Sequence, residues 1–149
     1  MTNPELRPAD LVVRPPLHPT LMWVPATCFV GGLLTDLAYY KTAEMQWANF
    51  SAWLITAGVI LGWLSCILGI VDLVGRRYAT APVPGWAYAI GIGIVMILAT
   101  FNMLIHTRDA WTSVVPWGLT LSAITVAVLV FTTVIGWTAL YRRNVMVIA

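Results

Sequence analysis

The sequence predicts an all-α fold, a transmembrane four-helix bundle running antiparallel up and down with both termini in the cytoplasm. Three observations predict it. First, 60% of the 149 residues are apolar and only 9% charged, against roughly 25% charged in soluble domains, and the mean hydropathy is +0.84. Second, the apolar residues gather into four long runs separated by short polar punctuation. Third, the basic residues fall mostly on one side of those runs. The length fits one domain, and so apolar a chain excludes disorder. A net charge of +2, scattered in ones and twos, excludes a nucleic-acid footprint. The expected surroundings are a lipid bilayer, crossed several times.

Residues 1–20 hold five of the nine prolines, Pro4, Pro8, Pro15, Pro16 and Pro19, and are expected to form an extended arm with no room for a helix. The arm is polar and mixed in charge, with no small-x-small pattern after the first apolar run. It therefore makes a poor signal peptide, and the first span is expected to stay in the mature protein. The membrane part is expected over 21–141. Its first span, 21–40, contains the single charge Asp36; the second, 50–75, is free of charge as far as Asp72; the third, 86–105, has none. The fourth, 114–141, runs 28 residues without a charge, longer than the roughly 20 residues a core about 30 Å thick requires. Runs such as Ile90 to Ala99 are apolar on nearly every side, which excludes the alternation of barrel strands. Residues 142–149 are expected to form a cytoplasmic tail.

Of the eight Lys and Arg residues, Arg7, Arg14, Arg76, Arg77, Arg142 and Arg143 flank one side, and Lys41 and Arg108 the other. The excess of positive charge marks the cytoplasmic face. Trp23, Trp86 and Trp137 then fall at inner span ends and Trp47, Trp53, Trp111 and Trp117 at outer ends, where an indole keeps its ring apolar and its N–H wet. Trp63 is left in mid-membrane.

Without a hydrophobic push between helices, association in lipid depends on small side chains and polar contacts. Gly118, Ser122, Thr125, Leu129, Thr132, Gly136 and Ala139 follow steps of three and four along the fourth span, and Gly58, Gly62, Ser65, Gly69 and Asp72 do so along the second. Both stripes are expected to look inward, with homodimerisation through one of them as the alternative. Gly91 and Gly93 lie inside the third span, where they are expected to ease helix contact rather than bind phosphate.

The polar residues at membrane depth form two expected clusters. His18 and Asp72 belong to the inner end; Asp36, Asn102 and His106 belong to the outer, with Asn102 and His106 four apart on one helical face. The structural expectation is one contact from His18 to Asp72 and another from Asp36 to Asn102 or His106. Cys28 and Cys66 make no CxxC pair, and no zinc spacing or nucleophile elbow is present. No metal site and no catalytic constellation is expected, so the chain is not read as an enzyme. His18 and His106 are the candidate cofactor ligands, but they sit at opposite membrane faces, too far apart for one chain to clamp a b-type haem between them.

With His18-Pro19 opening the first span, Val24-Pro25 within it, Asp36 near its end and Gly69-Ile70-Val71-Asp72 closing the second, the chain resembles the bacterial membrane proteins grouped as domain of unknown function 2231. The segment Gly136-Trp137-Thr138-Ala139-Leu140-Tyr141-Arg142 is similar to that family's closing Gly-Gly-Glu-Leu-Val-Tyr-Arg pattern, and Phe101-Asn102 to its third-span region. The likeness covers about Leu17 to Val147. It implies a four-span inner-membrane unit. Further histidines in some relatives would suit metal or haem ligation, but Trp86 and Arg143 stand near those positions here, and of that ligand set only His18 is kept.

The expected function is that of an anchor, scaffold or accessory subunit for a membrane or periplasmic protein partner. The alternatives are an electron-transfer subunit holding haem or contacting quinone, and a small proton or solute carrier using Asp36 and Asp72.

Overall fold

The computed structural model describes the backbone of residues 18–74, 86–108 and 114–148, and the side chains of 21–72, 74, 86–108 and 114–138. Helices α1 (His18–Thr42), α2 (Met45–Val74), α3 (Trp86–His106) and α4 (Trp117–Ile148) account for nearly all of it. Among the described residues there is no strand. Helix α1 packs on α2, α2 on α3 and α3 on α4, and α4 closes the ring against α1. Phe29, Gly32 and Thr35 of α1 meet Gly58, Ile55 and Ser51 of α2, so residue numbers rise on one helix as they fall on the other. Tyr88, Gly91 and Asn102 of α3 meet Gly136, Thr132 and Ser122 of α4 in the same sense. The neighbours are therefore antiparallel.

Each helix is long and apolar enough to cross a membrane, and the polarity of the bundle is inverted. Asp36, Asp72, Ser51, Ser65, Asn102, His106, Ser122, Thr125 and Thr132 are buried, while Trp53, Ile60, Ile67, Ile90, Phe131 and Val134 are more than half exposed. Water would enforce the opposite arrangement. Lipid permits this one, because its tails solvate the apolar wall and leave the polar groups to find partners inside. Exposed Trp117 and Trp137 on α4 lie about 30 Å apart at 1.5 Å per residue, the thickness of a hydrocarbon core.

The middle of the bundle is closed by Phe29, Ile55, Val59, Ile92, Val95, Met96 and Ala99. The small-residue stripes supply the close approach. Gly62 receives the Met96 side chain, Gly58 the ring of Phe29, Gly91 the side chain of Thr132 and Gly136 the ring of Tyr88. On α4, Gly118, Ser122, Thr125, Thr132 and Gly136 are all buried; Ala139 lies outside the described side chains. Gly58 and Gly62 of the α2 stripe and Thr132 and Gly136 of the α4 stripe are thus packed against neighbouring helices of the chain. Gly93 departs from expectation. A Cβ there would meet nothing within 4 Å, so of the two third-span glycines only Gly91 serves helix contact.

The helix limits also differ from those expected. Helix α1 begins at His18, inside the stretch assigned to an extended arm, because Pro19 occupies the first turn, where its missing N–H costs nothing. The expected loop of 41–49 shrinks to a turn at Ala43 and Glu44: Met45 to Asn49 join α2, and Trp47 and Ala48 pack with Tyr39 and Val114. Trp53 consequently sits two turns into α2, short of the span end. At the far end α4 starts at Trp117 and continues to Ile148, through the residues expected to form a tail.

Ala43 ends α1 in the left-handed region, with φ of 55°, its N–H bonded to the Tyr39 carbonyl at 2.7 Å. This is an αL cap built without glycine. Ala43→Gly should raise stability by about 1 kcal/mol, the cost a Cβ meets there, read as a shift of the unfolding midpoint in detergent micelles; an unchanged or lower midpoint would show that the turn carries no strain.

Candidate functional site

The carboxyl group of Asp36 is fully buried, nearly two turns before the end of α1. Its Oδ1 lies 3.0 Å from His106 Nε2 on α3, and its Oδ2 lies 2.5 Å from Ser122 Oγ on α4. Ser122 in turn accepts a hydrogen bond from Asn102 Nδ2 at 2.8 Å. The other ring nitrogen of His106, Nδ1, donates to the Asn102 carbonyl at 3.0 Å. The i, i+4 spacing of Asn102 and His106 stacks them on one face of α3, and the antiparallel α4 brings Ser122 to the same level.

Thr35, the neighbour of Asp36, faces the remaining helix. Its hydroxyl lies 2.9 Å from the Gly32 carbonyl and shares a hydrogen bond of 2.7 Å with Ser51 Oγ of α2. Two successive residues of α1 therefore fasten it to all three other helices at one depth. A wrong-facing turn in α1 would break every one of these links at once.

The hydrogen-bond partners fix the protons. The Asn102 carbonyl can only accept, so His106 Nδ1 carries a hydrogen. A carboxylate oxygen facing Nε2 needs a further proton between them, as imidazolium with carboxylate or as imidazole with carboxylic acid. In both forms the pair is electrically neutral as a whole, which is how a carboxyl group tolerates burial at membrane depth. Chemically the arrangement holds one proton and offers no exposed nucleophile.

The structure brings together Asp36, Asn102 and His106, which the sequence placed in one polar cluster, and adds Ser122, Thr35 and Ser51, which it did not. Ser122 was legible only as a small residue of the α4 stripe. Asp72 is fully buried near the opposite end of the bundle. The contact expected between His18 and Asp72 lies outside the described residues, since the His18 side chain is among those not described. Mid-membrane Trp63 donates its indole N–H to Thr100 Oγ1 at 3.2 Å. Cys28 and Cys66 are free thiols, and among the described residues no group of three or more His, Cys, Asp or Glu side chains could hold a metal ion. As a haem ligand His106 fits poorly: both ring nitrogens are engaged, and an axial bond to iron would have to break one of the two contacts.

Four apolar spans with a polar interior define an integral membrane protein. The family described as "Predicted membrane protein (DUF2231)" matches residues 14–149, and the chain belongs to that family. No curated protein and no solved structure matches it significantly.

Proposed function

We propose that the chain is a non-catalytic membrane unit of the bacterial inner membrane, serving as an anchor or accessory subunit for a membrane or periplasmic partner, with both termini on the cytoplasmic side. The observation that carries this reading is the commitment of the Asp36 cluster. Both carboxylate oxygens and both ring nitrogens are bonded within the bundle, and the layer beneath is closed by Val95, Met96 and Ala99, each at most 2% exposed. Such a cluster holds helices in register. The broad apolar exterior leaves room for lateral contact with a partner or a second copy.

A carrier reading has one observation in its favour, the proton that the buried Asp36–His106 pair holds. Vesicles under a pH gradient separate the two. For an anchor, proton flux with the wild-type protein equals that with Asp36→Asn and that of protein-free vesicles. Protein-dependent flux that disappears in Asp36→Asn would establish the carrier and overturn the anchor.

A further inference from the structure

We infer that one ordered water molecule is bound between Asn102 of α3 and Thr125 of α4, extending the Asp36 cluster one step toward the middle of the membrane. Two polar atoms point to it. Asn102 Oδ1 and Thr125 Oγ1 are both buried without a hydrogen-bond partner, in residues that are each 2% exposed. The same Asn102 amide is held by its nitrogen on Ser122, and Thr125 follows Ser122 by one turn on the same face of α4. Across from Thr125, in the register that pairs Gly91 with Thr132 and Asn102 with Ser122, stands the short side chain of Ala99, one turn of α3 from Asn102.

Thr125 differs from most threonines of the bundle, though Thr56 and Thr132 also make no backbone bond of their own. Thr27, Thr35, Thr42, Thr100, Thr120 and Thr133 donate to a carbonyl three or four residues earlier in their own helices, the usual way a hydroxyl is satisfied in lipid. The Thr125 hydroxyl forgoes that bond. Water suits the pair because it supplies what each lacks: it donates a hydrogen to Asn102 Oδ1 and accepts the Thr125 hydroxyl hydrogen, reaching the two polar partners a buried water requires. A monovalent cation is the rival occupant. It is disfavoured because only two unpartnered oxygens, Asn102 Oδ1 and Thr125 Oγ1, stand there, fewer than a desolvated cation needs.

The test is a water-selective nuclear Overhauser experiment on the full chain in micelles, observing the Asn102 side-chain amide protons. A cross-peak at the water frequency is expected in the wild type and its loss is expected in Thr125→Val. Absence of the wild-type cross-peak overturns the assignment without any variant, and a cross-peak that survives Thr125→Val shows that it arises elsewhere, which also overturns it. Exchanging sodium for N-methylglucamine should change neither the cross-peak nor the melting temperature; a melting temperature that rises with sodium would assign the position to a cation.

Discussion

Asp36→Ala is expected to lower the unfolding free energy of the bundle by about 3 kcal/mol. Neutral hydrogen bonds between membrane helices average roughly 0.6 kcal/mol, so the two direct contacts of Asp36 would explain about 1 kcal/mol if they were ordinary. They are not, because removing the carboxyl group strands His106 and Ser122 in a buried site closed to bulk solvent. Breaking a buried ion pair costs about 3–5 kcal/mol when the survivor stays charged. Here His106 keeps its bond from Nδ1 to the Asn102 carbonyl and Ser122 its bond from Asn102, which sets the effect at the low end of that range. Asp36→Asn makes the contrast. Its oxygen accepts from Ser122 and its amide donates to a neutral His106 Nε2, so every neighbour keeps a partner and the loss should be about 1 kcal/mol. Reversible unfolding in mixed micelles reads both. Equal losses for Ala and Asn would mean that the charge, and not the hydrogen bonds, holds the cluster.

Gly91→Val should separate α3 from α4 and cost about 3 kcal/mol, the upper part of the range for overpacking. A Cβ at Gly91 would stand 2.6 Å from Thr132 Cγ2 and 3.0 Å from Thr132 Cβ, with Thr132 Oγ1 closer still. Rotating the Thr132 side chain exchanges its branches but leaves its Cβ 3.0 Å from the added atom, so the backbones must part. Gly93→Val, two residues on, meets open space and should change stability by no more than about 1 kcal/mol, the scale of helix propensity. Comparable losses at the two positions would contradict the packing of α3 on α4. At Gly62 the same added atom meets the end of Met96, a flexible side chain, and the penalty there should be smaller.

The sequence made the four spans legible because lipid imposes a simple rule, an uninterrupted apolar run of sufficient length, and each helix obeys it. It was a poorer guide to the ends. Met45 to Asn49 read as loop because Gln46 and Asn49 are polar, yet those residues extend α2 beyond the apolar run, and the packing of Trp47 and Ala48 against Tyr39 rewards the extension. The gathering of Asp36 with Asn102 and His106 could be reasoned from depth and face, since so few polar side chains sit there. Thr35, Ser51 and Ser122 could not. A hydroxyl in a membrane helix has its own backbone carbonyl as an alternative partner, so nothing in the sequence distinguishes the one that reaches across from the one that folds back. The difference between Gly91 and Gly93 is likewise a matter of rotation about α3, fixed only once Thr132 is seen opposite.

A double-mutant cycle between Asp36→Ala and His106→Ala, read by unfolding in the same micelles, addresses most directly whether this buried cluster fastens the helices. Residues that act as one link should lose less together than the two single losses added, with a coupling of at least about 1.5 kcal/mol. Losses that simply add, within about 0.5 kcal/mol, would mean that α1 and α3 are held together by something other than this pair.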